Sequence, residues 1–145
     1  MTTSPPNEAL AKTLEVLIHT QELDPSKWID FADYGLRQYF LWKNPATGAS
    51  IALLEFAKGG RIPVKHTHAS NQFMYCLEGD YEYTDTGLRL KPGSFYMNPK
   101  DHPHGPTLAH ARSVLIEIYD VTQGGPAGPK AVNVSAVGTQ IFAGR

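Results

Sequence analysis

The chain has almost no cysteine. Cys76 stands alone, so no internal disulfide can staple the fold, and a reducing cytoplasm is the expected compartment. Long apolar runs are missing too: nothing approaches the roughly 18 residues of a membrane helix, and the start MTTSPPNEAL has neither the basic region nor the apolar stretch of a secretory signal. Nor is there a surplus of charge. Thirteen Lys and Arg face 14 Asp and Glu, a formal net charge of −1, which leaves no basic field to hold nucleic acid and no acidic field of the opposite kind. With 145 residues, 41% of them hydrophobic, one globular domain over 1–145 is expected and a second finds no room. What the chain does have is unevenly placed histidine: six in all, four of them between positions 66 and 104.

Gly (13) and Pro (11) are spread along the chain, and the apolar segments between them are short, which is the punctuation of an all-β protein. The clearest strands are LRQYFLWK (36–43), SIALLEFA (50–57), QFMYCLE (72–78), DYEYTD (80–85), SFYMN (94–98) and SVLIEIYD (113–120), separated by NPATG, KGG, EGD, TDTG and KPG. In these separators Gly supplies positive φ and Pro fixes φ near −65°. Nothing offers the crossover helices of a parallel sheet, so a closed sandwich or barrel follows. One short N-terminal helix is possible: Leu10, Leu14 and Leu17 keep helical spacing over NEALAKTLEVLIHT (7–20), although LEVLIHT reads equally as a strand. The motif-bearing core is expected over about 36–120, and the segment 121–145 reads as an arm that docks on the barrel or on a second subunit.

The chemistry lies in Gly60-Arg-Ile-Pro-Val-Lys-His66-Thr-His68-Ala-Ser-Asn-Gln72, with Gly79 beyond it. Residues two apart on a strand project from one face, so His66 and His68 can bring two imidazoles to one point, and Gln72, opening the next strand, could reach it as well. A second segment, Pro92-Gly93-Ser94-Phe95-Tyr96-Met97-Asn98-Pro99-Lys100-Asp101-His102-Pro103-His104, ends a strand and supplies another imidazole. Three His suit Fe, Ni, Cu or Zn better than Mg or Ca, which prefer oxygen.

These two segments resemble the cupin superfamily. Gly60, His66, His68 and Gly79 match its first motif, with Gln72 where Glu is usual, and Pro92, Gly93, Pro99 and His104 match its second. The flanking strands and the region of Trp28 resemble more loosely the small cupins that include acetylacetone-cleaving dioxygenases, dihydroxyacetophenone dioxygenase and the cupin-like domain of ChrR-type anti-sigma factors. The resemblance implies a double-stranded β-helix (jelly roll) with a metal inside, held by His66, His68 and His104, and commonly a homodimer. Gln72 is then a weak fourth ligand, or hydrogen-bonds a metal-bound water. Three neutral imidazoles leave a divalent metal at about +2, where a carboxylate ligand would leave about +1, and the more Lewis-acidic ion favours a chelating anion such as an enolised β-diketone. Two departures from the diketone-cleaving relatives put acetylacetone itself in doubt: Asn98 where they favour a carboxylate, and Asp80 where they carry a basic residue.

The expectation is therefore a mononuclear non-haem Fe(II) dioxygenase, with Zn or Ni as other candidate ions, acting with O₂ on a small enolisable ketone. The competing reading is a non-enzymatic Zn-binding or sensor cupin of the ChrR kind. A metal-free sugar epimerase on the same fold is disfavoured by the complete set of three His. Strand parity from Gln72 puts Met74 and Cys76 on the metal-facing side as pocket wall or core filler, with Phe73, Tyr75 and Leu77 opposite. Asn98, Tyr96 and His102 are candidates for groups that touch the ligands or rim the pocket, while His19, His110, Arg61 and Lys65 read as surface residues. Tyr75, Tyr81 and Tyr83 read mainly as packing, because strands favour aromatics anyway.

Overall fold

A computed structural model describes residues 15–121. The described residues form nine strands: β1 (Ile29–Phe31), β2 (Leu36–Lys43), β3 (Ser50–Phe56), β4 (Gln72–Glu78), β5 (Tyr81–Tyr83), β6 (Leu88–Leu90), β7 (Phe95–Asn98), β8 (Thr107–Ala109) and β9 (Ser113–Tyr119). They pair in two antiparallel sheets, one of six strands in the order β1-β2-β3-β9-β4-β7 and one of three in the order β6-β5-β8. This is a jelly roll, the fold that the cupin resemblance implies and one form of the closed sandwich expected from the turn punctuation.

The strands read from the sequence coincide with β2 and β4 in full and with β3, β5, β7 and β9 to within a few residues at their ends. Three short strands, β1, β6 and β8, are additional. Two expectations need correction. Among the described residues there is no α-helix: residues 15–19 have no regular structure and Leu17 is 80% exposed, while 1–14, with the rest of the predicted helical stripe, lie outside the described residues. His66 and His68 lie on no strand either. Their segment makes only one isolated bridge, between His66 and His104, because Pro63 has no N–H to give a ladder. The proposed arm likewise falls, beyond 121, outside the described residues.

The core sits between the sheets. Leu36, Leu54, Phe56, Met74 and Leu115 from the large sheet meet Tyr81, Tyr83, Leu90 and Ala109 from the small one, and the Phe56 and Tyr81 rings lie 4.6 Å apart across the gap. β4 and β9 show the alternation this demands: Gln72, Met74 and Cys76 face in, as do Ser113, Leu115, Glu117 and Tyr119. The opposite face of β4 and β7 carries Tyr75, Leu77, Phe95 and Met97, all exposed.

Gly79 closes the tight turn from β4 to β5 at φ +97°, and a Cβ there would run into the carbonyl oxygen of Arg112 and the side chain of Ser113. Backbone has no flexible end to swing aside, so this position requires glycine. Gly79→Ala is expected to destabilise the fold by about 1–3 kcal/mol, read as a lower midpoint in urea or thermal unfolding. An unchanged midpoint would refute the close approach.

Candidate metal centre

Two loops deliver the three imidazoles, and a pair of backbone hydrogen bonds joins them: His66 N–H donates to the His104 carbonyl and His104 N–H to that of His66, both at 2.9 Å. Asp101 N–H donates to the His68 carbonyl at 2.9 Å, which ties the second loop one residue pair further on. His66, His68 and His104 are 2%, 1% and 6% exposed. Their ring centroids are 4.7–5.0 Å apart, and one potential ligand atom from each falls within 4.8 Å of the other two.

The hydrogen bonds to each ring decide which nitrogen faces the centre. Val64 O, an acceptor only, lies 3.0 Å from His66 Nδ1, so that nitrogen carries the proton and Nε2 keeps its lone pair. The Tyr119 hydroxyl donates its one proton to Glu117 Oε2 at 2.9 Å, so its contact with His68 Nδ1 at 3.2 Å is accepted from the ring, and His68 Nε2 keeps its lone pair as well. His104 Nδ1 lies 2.9 Å from the Tyr96 hydroxyl, and its Nε2 is 2.9 Å from His68 Nε2. With bonds of about 2.1 Å to a metal, two cis nitrogens sit about 3.0 Å apart; the His68–His104 pair has that spacing, and the three donors together could hold a single divalent ion. Each ligand ring is oriented through its outer nitrogen, the usual arrangement around protein-bound metals. Burial first, then repulsion from His66 and His102, pushes the His104 pKa down to about 3, which keeps it neutral at physiological pH. Burial likewise pushes the Tyr96 phenol up to about 12, and it stays a hydroxyl.

Gln72 is 3% exposed and opens β4 beside the three rings. Its Nε2 donates to Glu117 Oε2 at 2.8 Å and to the Tyr119 oxygen at 3.3 Å. Its Oε1 is buried without a hydrogen-bond partner. Glu117 and Tyr119, both buried on β9, are the site residues that the sequence reading missed. Alternation in SVLIEIYD sets Val114, Ile116 and Ile118 on one wholly apolar face and Glu117 with Ser113, Leu115 and Tyr119 on the other, so the sequence pattern reads the glutamate as the solvent side, whereas the structure buries it.

The remaining candidates separate clearly. Tyr96 touches a ligand directly. Met74 lines the cavity beside the rings. Cys76 does not: it is fully buried, with its Sγ against the Glu78 carbonyl at 3.2 Å, and desolvation raises the thiol pKa, so it is core filler. Asn98 has no hydrogen bond to a ligand ring among those resolved. Its amide donates to the His102 carbonyl at 2.8 Å and its Oδ1 lies 2.9 Å from His102 Nδ1, which fixes the loop that carries His104. His102 itself is exposed. His110 sits at the surface, 2.6 Å from Glu82, and Asp80 pairs with Arg89 on the surface.

The cavity beside the rings has an empty volume of about 330 Å³, its mouth included. Leu36, Leu54, Phe56, Ile62 and Met74 supply apolar wall, and Tyr81 and Tyr83 add ring faces. His66, Gln72, His104, Thr107 and Glu117 are its polar lining, with no Lys or Arg among them.

A buried three-histidine set inside a jelly roll, opening on a small cavity, defines a metal-binding cupin. The chain belongs to the ChrR cupin-like domain family, which it matches over residues 14–121. Among solved structures it is similar to a putative acetylacetone dioxygenase from Methylibium petroleiphilum (16% identity, TM-score 0.64, covering 89% of this chain and 94% of that one). It is also similar to an acetylacetone dioxygenase from Acinetobacter johnsonii (14% identity, TM-score 0.59, covering 89% and 95%). The anti-sigma factor ChrR, in complex with SigE of Rhodobacter sphaeroides, aligns at 19% identity and TM-score 0.55, covering 70% of this chain and 51% of that one. At such identities the likeness establishes the fold alone. No curated protein matches significantly.

The purified protein is expected to carry about one divalent transition ion per chain, and His104→Ala to lose it, as measured by elemental analysis. Equal metal content in a folded His104→Ala variant would exclude this donor set.

Proposed function

We propose that the protein is a metal-dependent dioxygenase that cleaves a carbon–carbon bond in a small, enolisable dicarbonyl or related ketone. The observation that carries this reading is the cavity: His66 and His104 line it, so the donor set opens on a space for substrate, whereas a purely structural ion is closed off by protein ligands. The enclosed part of this space is narrow, which restricts it to a compound of few atoms.

His66, His68 and His104 would hold the ion through Nε2. When bound, a divalent ion of the Fe(II) kind supplies Lewis acidity and the redox chemistry that O₂ demands. The chain's own work is to place and to exclude. Leu36, Leu54 and Ile62 keep the reacting carbon skeleton dry, while Tyr81 donates to Thr107 Oγ1 at 2.7 Å, which fixes the hydroxyl at the polar end. Holding the substrate beside the ion replaces a bimolecular encounter by a local one. The jelly-roll likeness to acetylacetone dioxygenases supports the reaction class, and the departures at Asn98 and Asp80 favour a related ketone over acetylacetone itself.

A second reading is favoured by the family match: a cupin that holds Zn as a structural or regulatory ion and catalyses nothing. The two separate in one experiment. Protein purified without oxygen and loaded with Fe(II) is expected to consume O₂ with at least one member of a panel of β-diketones, β-keto acids and aryl hydroxyketones. No uptake with any of them, together with a lower melting temperature on metal removal, would select the Zn reading.

A further inference from the structure

The buried Gln72–Glu117–Tyr119 cluster is larger than packing requires, and its hydrogen bonds can be counted atom by atom. A carboxyl oxygen and a phenol oxygen take both protons of the Gln72 amide, at 2.8 and 3.3 Å. Tyr119 gives its only proton to the same carboxyl oxygen at 2.9 Å. The phenol oxygen then has lone pairs for two donors, which are Gln72 Nε2 and His68 Nδ1. Two atoms are thereby oriented by one acceptor. Gln72 must present its NH₂ to β9, which turns Oε1, buried and otherwise without a hydrogen bond, away from Glu117, in a side chain that lines the same cavity as His66 and His104. His68 must carry its proton on Nδ1, which turns the lone pair of Nε2 to the centre.

We propose that Glu117 is the positioning residue of the metal centre: by accepting from Gln72 and from Tyr119 it aims the Gln72 carbonyl oxygen as a fourth, oxygen donor and fixes the ligating tautomer of His68. This rests on the reading that the three histidines hold a divalent ion. The register of the sheet makes the arrangement possible. Gln72 pairs with Tyr119 and Met74 with Glu117 across β4 and β9, so the carboxyl group stands one residue pair along from the amide it holds. The carboxyl group that a motif Glu at position 72 would present to the ion stands instead one hydrogen bond away, on the neighbouring strand. An acceptor at 117 is the only requirement the cluster imposes: a group there that could also donate would let the Gln72 amide rotate by half a turn, and Oε1 would then face position 117.

The test uses Co(II), whose visible spectrum reports ligand number and type, with affinity measured by chelator competition on the full chain. Glu117→Gln keeps the shape and removes the obligate acceptor. It is expected to weaken Co(II) binding by roughly 10- to 100-fold and to change the visible spectrum. Gln72→Leu should change the spectrum in the same sense, and the double variant should bind no more weakly than Glu117→Gln alone. Wild-type affinity and spectrum in Glu117→Gln, or losses that multiply in the double variant, would overturn the proposal. Tyr119→Phe keeps the test open if Glu117→Gln fails to fold. It cuts the His68 arm and the longer of the two Gln72 contacts while leaving the Gln72–Glu117 bond, and it should lower affinity, whereas an unchanged affinity overturns the His68 arm. Should the wild-type chain bind no Co(II) at all, the metal reading itself fails, a result distinct from any of these.

Discussion

The site depends on two hydrogen bonds, those exchanged by the backbones of His66 and His104. Neither residue belongs to a strand, and the loops that carry them are 38 positions apart in the chain. Without that reciprocal pair, three imidazoles on irregular backbone would be free to separate. With it, the loops are fixed to each other as firmly as two positions of a sheet, and everything else at the centre is arranged around the bridge. Val64 O sets the His66 ring, Tyr96 meets the His104 ring, and Asn98 gathers in the His102 turn so that the bridge lies in register. The stacked rings of Tyr83 and Tyr96, 4.6 Å apart, and of Tyr83 and His104, 4.9 Å apart, add a packed wall behind one ligand.

The other half of the centre comes from regular structure. β4 and β9 run side by side, each with a neighbour on both sides in the six-stranded sheet, where strand alternation fixes side-chain direction strictly. Flexible donors such as Gln and Glu gain direction from that ladder, and rigid imidazoles gain it from their ring partners. The combination explains how polar groups as buried as Gln72, His68 and Glu117 are held inside an apolar sandwich: each makes hydrogen bonds to neighbouring groups, and the orphan at Gln72 is its Oε1.

Much of this was legible in the chain before any coordinates. Long strands announce themselves because Gly- and Pro-rich turns bracket runs of aromatic and aliphatic residues, and β2 and β4 match their expected limits. Strands of three residues, such as β1, β6 and β8, hold too few side chains for any period to appear. His66 and His68 could be paired from spacing and His104 added from the motif resemblance, although the three converge through an isolated bridge and not through a strand face. Glu117 was hidden for a specific reason. A lone charge between Ile116 and Ile118 looks like the solvent face of an alternating strand, yet here the isoleucines take the outer side and the glutamate the inner. Only the partner across the ladder, Gln72, reveals that the charge has company inside.

The cavity beside the rings has apolar walls, one carboxyl group and no ammonium or guanidinium. A solute carrying a phosphate or a carboxylate would have to shed its hydration there, with no cationic side chain to compensate. Neutral compounds lose far less on entry. The chamber thus sorts what reaches it much as an oil phase does when shaken with water, by partition, before any group on the protein has recognised a shape.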